Sequence, residues 1–333
     1  MTMNVSRISG VGHYLPEREV SNQELEKKLD VSSDWIVKLT GVQTRRWVRK
    51  GETLNQMAVG ASKKALDQAG ISANEIDMII YSTLGSDHQF PGSGCYLQKE
   101  LDIPGIPALD IRNVCSGFIY GLSIADQYIK TGMCRHVLLV GAELQSTSLD
   151  LTPRGRNVSV LFGDGAGAAV ISQSNEKERR ILNTQIYSDG HYADKLWADA
   201  PSPNDHPRLT KALLDTDRIY PYMDGRAVFK HAVHRFPEVI EEAVRKAGME
   251  ISNLDLIIPH QANLRITEMI VRKLGIDSDK VYSNIEHYGN TTSASIPVAL
   301  SEAVQKGVIA DHALICLAAF GAGFSWGSAL IRW

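Results

Sequence analysis

Apolar and polar positions along this 333-residue chain fall into two alternating rhythms. Short runs rich in Ile and Val predict strands over Ser6–Gly12, Asp77–Ser82, Ala108–Ile111, His136–Glu143 and Gly167–Ser172. Between them, apolar residues spaced by three and four predict helices over Asn55–Ala69 and Gly117–Lys130, each stopping near a glycine (Gly70, Gly132) suited to a left-handed cap. The second half repeats the theme, with strands expected over Asp255–Pro259, Val281–Ser283 and Ala313–Ala319. Helices are expected there over Ala227–Ala247, Leu264–Leu274 and Ser293–Lys306. Such alternation is the mark of an α/β protein.

The two halves echo each other. EIDMIIYST (Glu75–Thr83) matches NLDLIIPHQ (Asn253–Gln261): a polar lead-in, an aspartate, then an apolar strand. FGDGAGAAV (Phe162–Val170) and FGAGFSWGSAL (Phe320–Leu330) are both glycine-rich turns that run into a strand. A chain of this length exceeds what one core usually serves. We therefore expect two similar halves, 1–175 and 176–333, divided within the polar segment Ser172–Arg180, with a site at their seam. Ala198–Asp217, rich in Pro and Asp, is expected to be a mobile surface loop or lid.

Composition narrows the function classes. Hydrophobic content of 44% with 22% charged residues fits a soluble globular protein rather than a disordered one. A net charge of −3 gives no reason to expect nucleic acid or an anionic membrane as partner. The first residues lack the apolar core of a signal peptide, and no apolar run is long enough for a membrane span. Cys95, Cys115, Cys134 and Cys316 are widely spaced with no CxxC pair, a pattern poor for zinc or a disulfide framework and consistent with a reduced, cytoplasmic setting. His231 and His234 share a helix face but have no third ligand nearby, so no metal is expected.

Three residues could carry chemistry. Cys115, in LDIRNVCSGFIYGL, lies after a short strand and just before a helix, where the helix dipole and unpaired N–H groups favour thiolate. The bland alternative is a structural cysteine, the role we assign to Cys95, Cys134 and Cys316 as core or near-surface fillers. His260, in LIIPHQANLRI, ends a strand and so faces a crevice, as an acid/base or hydrogen-bond donor would. A loop histidine that caps the next helix would look the same. Asn290, in HYGNTTSASIP, reads equally as a helix N-cap. A Cys–His–Asn set also suits a papain-like hydrolase, so residue types alone leave the reaction open.

NVCSGF, PHQANLRI, HYGN, FGDGAGA and FGAGFSWGSALIRW together resemble the β-ketoacyl-ACP synthase III family, and the likeness extends from GVGHYLPE and SSDWI to the last residue. The resemblance implies a thiolase fold, two α/β halves in five αβαβα layers, assembled as a homodimer. It implies an acyltransferase of fatty-acid biosynthesis that needs no cofactor. Cys115 would accept an acyl group from an acyl-CoA or acyl-ACP thioester. His260 and Asn290 would bind the carbonyl of a decarboxylating malonyl thioester, and the N–H groups of Cys115 and Ala322 would form the oxyanion hole. Phe320 would shield the decarboxylation site, Gln145 and Asn263 would contact substrate, and Phe90 would reach into the partner subunit's acyl pocket. Trp35 would stack on the coenzyme A adenine with Arg154 facing it. Lys230, Arg265, Arg272 and Lys273 would receive the acidic acyl carrier protein.

Some positions depart from the family pattern. Leu39 stands where an arginine usually helps hold coenzyme A, and Gln145 where an apolar residue usually lines the acyl pocket. Lys195–Asp217 does not follow the housekeeping pattern, and LDIR, RGRNVSVL and MDGRAVF look closer to specialised relatives of quinolone, resorcinol or polyketide pathways. Some of those form esters or amides, which is the alternative outcome. A silent carrier-protein-binding scaffold is disfavoured, because it would need no thiol at Cys115.

Overall fold

The run HVLLVGAE shows why this chain folds in layers. Successive side chains leave a strand on opposite faces, and here both faces are apolar: Val137 and Leu139 enter one buried cluster, Leu138 and Val140 another. Such a strand must be covered on both sides. In the computed structural model, which describes residues 4–176 and 178–333, it is the central strand of a five-stranded sheet. The order is Val5–Tyr14, Gly165–Ser174, His136–Glu143, Met78–Ser82, Ala108–Ile111. The first two pairings are antiparallel and the last two parallel.

A second sheet has the order Leu256–Pro259, Leu314–Gly321, Ser325–Arg332, Arg180–Ser188, parallel at the first pairing and antiparallel thereafter. One apolar cluster joins the two sheets through helices Gly117–Lys130 and Ser295–Gln305, which bring Phe118, Leu122, Ile296 and Leu300 between Leu139 and Leu317. The outer face of the first sheet is covered by helices Leu54–Ala69 and Ser93–Glu100. The outer face of the second is covered by Gly225–Lys246 and Leu264–Leu274. The result is the expected αβαβα stack. The echo between EIDMIIYST and NLDLIIPHQ has a physical counterpart. Asp77 Oδ2 accepts the N–H groups of Arg135 (2.6 Å) and His136 (2.9 Å), and Asp255 Oδ2 accepts that of Leu314 (2.7 Å). Each aspartate thus fixes the start of the neighbouring strand.

Two expectations need correction. Val281–Ser283 is not a strand: only Val281 bridges to Ile257, because the chain turns at once into the short helix Ile285–Tyr288. The polar stretch Ser172–Arg180 covers the end of strand Gly165–Ser174, in the first sheet, and the start of strand Arg180–Ser188, in the second. Cys95 is exposed on helix Ser93–Glu100 rather than packed in apolar surroundings, whereas Cys134 and Cys316 are buried.

Candidate active site

Cys115, His260 and Asn290 line one cavity of about 560 Å³. Each reaches it from a junction between elements. Cys115 sits in the turn Val114–Ser116, between strand Ala108–Ile111 and helix Gly117–Lys130. The preceding Val114 has φ +46°, a left-handed conformation costly for a β-branched residue and one that a fold keeps only where its surroundings impose it. Gly321 makes room opposite: a Cβ there would lie 3.0 Å from Cys115 Sγ and closer still to Cys115 Cβ.

The thiol does not behave as its position before a helix suggested. Burial pushes Cys115 up to about 12, with the nearby Glu143 carboxyl adding to the rise; the backbone N–H groups of Ala322 and Cys115 oppose it. The resting group is therefore a thiol, a correction to the expected thiolate: loss of water outweighs the helix terminus. The same two N–H groups stand at the sulfur, where a carbonyl oxygen bound to it would find donors.

His260 continues strand Leu256–Pro259, its N–H donating to Ala318 O at 2.7 Å. It is buried, and burial lowers its pKa to about 3, so the ring is neutral. Nδ1 pairs with Ser295 Oγ at 2.5 Å, and Nε2 has no protein partner. An unpartnered buried ring nitrogen is costly unless a ligand meets it. Asn290 is locked by its backbone, its N–H donating to Leu161 O (2.8 Å) and its carbonyl accepting from Gly163 (3.1 Å). Its Oδ1 accepts from Thr292 N–H at 2.8 Å, which orients Nδ2 as a free donor.

The other expected residues divide. Phe320 lines the cavity, packed against Phe324 with ring centroids 4.9 Å apart. Gln145, Ala322 and Asn263 also line it, and Asn263 donates to Leu39 O at 3.0 Å. Arg265 lines the cavity and lies over the Phe229 ring, while Lys230, Arg272 and Lys273 are exposed nearby in sequence on the same two helices. Trp35 and Arg154 do not line the cavity, although Leu39, one helical turn from Trp35, does. Arg154 is paired with Asp150 at 2.5 Å and lies over Tyr220 rather than Trp35. Phe90 is 84% exposed and does not line the cavity. Residues at the base of the expected lid, Trp197 and Ala198, line the cavity, and Arg208 ties that segment to Gln89 at 2.8 Å.

Sequence reasoning missed Glu143, Ser295 and Thr292. Glu143 accepts from Leu84 N–H (3.2 Å) and Ser293 Oγ (2.7 Å), and burial raises its pKa to about 7. Its signal was visible as an acid closing the apolar run HVLLVGAE. Ser295 and Thr292 had none, being hydroxyls in a hydroxyl-rich turn. Among the described residues, no cluster of three or more His, Cys, Asp or Glu side chains is placed to hold a metal. No described helix is long and apolar enough to cross a membrane.

A cysteine at a strand–helix turn, facing histidine and asparagine between layered α/β sheets, defines a thiolase-fold condensing enzyme. The chain belongs to the 3-oxoacyl-(acyl-carrier-protein) synthase III family: residues 109–190 match that family's model and residues 244–333 its C-terminal model. It is 42% identical over 327 residues to β-ketoacyl-(acyl-carrier-protein) synthase III 1 of Vibrio vulnificus, covering 98% of this chain and 99% of that one. The structure of 3-oxoacyl-(acyl-carrier-protein) synthase III from Aquifex aeolicus superposes with a TM-score of 0.91 at 41% identity, over 98% of this chain and all 100% of the other. A priming β-ketosynthase of a polyketide biosynthetic pathway superposes with a TM-score of 0.89 at 35% identity, over 99% of this chain and 96% of that one.

Proposed function

We propose that this enzyme loads an acyl group onto Cys115 and condenses it with a decarboxylating malonyl thioester, releasing a β-ketoacyl thioester. The observation that carries this reading is the pairing of two free hydrogen-bonding groups, His260 Nε2 and Asn290 Nδ2, in the cavity that holds Cys115.

Acylation begins from the thiol. Cys115 Sγ attacks the donor's carbonyl carbon, the N–H groups of Cys115 and Ala322 hold the resulting oxyanion, and the C–S bond of the donor breaks. The thiol proton leaves with the departing sulfur, so no separate base is needed for balance. In the second half, the malonyl thioester loses carbon dioxide and its carbonyl oxygen becomes an enolate. Neutral His260, with Nδ1 accepting from Ser295, donates from Nε2; Asn290 donates from Nδ2. The enolate carbon then attacks the acyl-cysteine carbonyl, a C–C bond forms, and Cys115 leaves and is reprotonated. Phe320, with Phe324 and Phe236 behind it, keeps this end of the cavity dry and favours loss of the malonyl charge.

The reading extends to the assembly. Two halves, 1–175 and 176–333, supply the nucleophile and the two donors respectively. On this reading the enzyme works as a homodimer, and the exposed Phe90 enters the active site of the partner subunit. Lys230, Arg265, Arg272 and Lys273, which form no ion pair among the described residues, receive the carrier protein. Incubation with an acyl thioester followed by intact-mass analysis tests the core of it. One acyl adduct is expected, mapping to Cys115 and absent in Cys115→Ser; an adduct on Cys95, Cys134 or Cys316 defeats the assignment. Carbon dioxide release from malonyl thioester tests the second half.

A further inference from the structure

The wall of the cavity beside Cys115 contains a polar pair that the chemistry above does not use. Gln145 and Thr292 are 3% and 1% exposed, and both line the cavity together with the apolar Leu84 and Leu161. Gln145 Nε2 lies 3.4 Å from Glu143 Oε2 and 3.3 Å from Thr292 Oγ1. An ionised carboxylate can only accept, so Glu143 turns the amide N–H₂ toward itself. That leaves Gln145 Oε1 as an acceptor with no protein donor among the described residues. Thr292 Oγ1 accepts from Gln145, so its own hydrogen is free to be donated. Backbone geometry holds the pair in place: Gln145 N–H is bound by Asp164 Oδ1 at 2.7 Å, and Thr292 N–H by Asn290 Oδ1 at 2.8 Å.

One free acceptor beside one free donor, both buried, match a group that donates and accepts at once. We propose that Gln145 and Thr292 form a subsite for a hydroxyl group on the acyl chain that Cys115 carries, the hydroxyl donating to Gln145 Oε1 and accepting from Thr292 Oγ1. An unsubstituted chain would cover both groups without pairing them, which is the costlier outcome. This inference rests on the acyl-enzyme reading above.

The test is the rate of Cys115 acylation at pH 8, where Glu143 is ionised, read by intact mass. The donors are butanoyl thioester and its 2-, 3- and 4-hydroxy derivatives on the same carrier. At least one hydroxyacyl donor is expected to outpace butanoyl by roughly 10-fold. That ratio should collapse toward one in both Gln145→Leu and the isosteric Thr292→Val, with thermal melting showing that each variant is folded. Because the readout is a ratio within one variant, a general loss of rate does not mimic the result. Butanoyl equal to or faster than every hydroxy derivative in the unmodified enzyme overturns the subsite and leaves the proposed function standing. Absence of acylation by any donor overturns both.

Discussion

A buried cysteine with its pKa raised and a buried histidine with its pKa lowered share one cause, the loss of water, and together they set up a site that is neutral at rest. Two predictions belong at this scale. Asn290→Ala and His260→Ala should still accept an acyl group, because the donors at the sulfur are backbone N–H groups. Each should lose malonyl decarboxylation by roughly 100- to 1,000-fold, the cost of one donor to a developing oxyanion. Unimpaired carbon dioxide release in both variants would exclude the enolate role. The second concerns pH. His260 is held down to about 3 by burial, against 6.5 in the unfolded chain, so unfolding takes up a proton between those values. Its contribution to stability is complete above pH 6.5 and is lost progressively as pH falls toward about 3. Melting temperature should therefore decline less steeply with acidification in His260→Ala; equal slopes would show that the ring is not neutral and buried. Glu143, raised to about 7, acts in the opposite sense and loses its contribution as pH rises through that value.

At the scale of elements, close approach decides where the chemistry can sit. Helix Leu54–Ala69 lies flat on strand Val5–Tyr14 because Gly12 presents no side chain: a Cβ there would come within 2.5 Å of Ala65 N and 2.7 Å of Lys64 Cβ. Gly12→Ala should destabilise the enzyme by about 1–3 kcal/mol through overpacking, measurable by urea unfolding. Gly321 does the same for the site. Gly321→Ala should lower the melting temperature through overpacking and suppress acylation of Cys115, since the added methyl would lie 3.0 Å from Cys115 Sγ and closer still to its Cβ. A variant that acylates at the normal rate would show that the Val114–Ser116 turn can yield. Val114 at φ +46° and Thr292 at φ +51° suggest that it does not yield easily, since both hold strained backbone beside a reacting group.

At the scale of the whole molecule, the charged side chains at and near the cavity bear on the choice of acyl donor. Leu39 lines the cavity without a charge, Arg226 and Arg265 line it as well, and Lys230, Arg272 and Lys273 are exposed on helices Gly225–Lys246 and Leu264–Leu274. Arg154 is already paired with Asp150, which lowers what it can offer a nucleotide phosphate. An acyl carrier protein needs the basic surface and brings no adenine, whereas a coenzyme A ester needs charge close to the mouth. We expect carrier-protein thioesters to acylate Cys115 faster than the matching coenzyme A esters. Leu39→Arg should lower KM for the coenzyme A ester by about 10-fold or more, the worth of one charge-assisted hydrogen bond, and leave the carrier-protein reaction nearly as it was. Equal rates from the two donors in the unmodified enzyme would refute this.

What the linear sequence determined by itself was set by local physics. Short continuous apolar runs define His136–Glu143 and Leu256–Pro259 as strands, three- and four-residue spacing defines Leu264–Leu274 as a helix, and strand ends followed by helices mark Cys115 and His260 as crevice residues. The αβαβα class followed from the motifs that resemble a known family. Tertiary structure decided everything that depends on contacts between residues far apart in the chain. The protonation of Cys115 is one case: its position before a helix argued for thiolate, but only packing shows how little water and which carboxyl surround it. The orientation of Asn290 and the free nitrogen of His260 are others, fixed by Thr292 and by Ser295, 35 residues from His260. Glu143 and Gln145 meet Ser293 and Thr292 across about half of the chain, and no pattern along the sequence records that encounter. Local periodicity encodes which face of an element is buried; it carries no information about which distant side chain that face will meet.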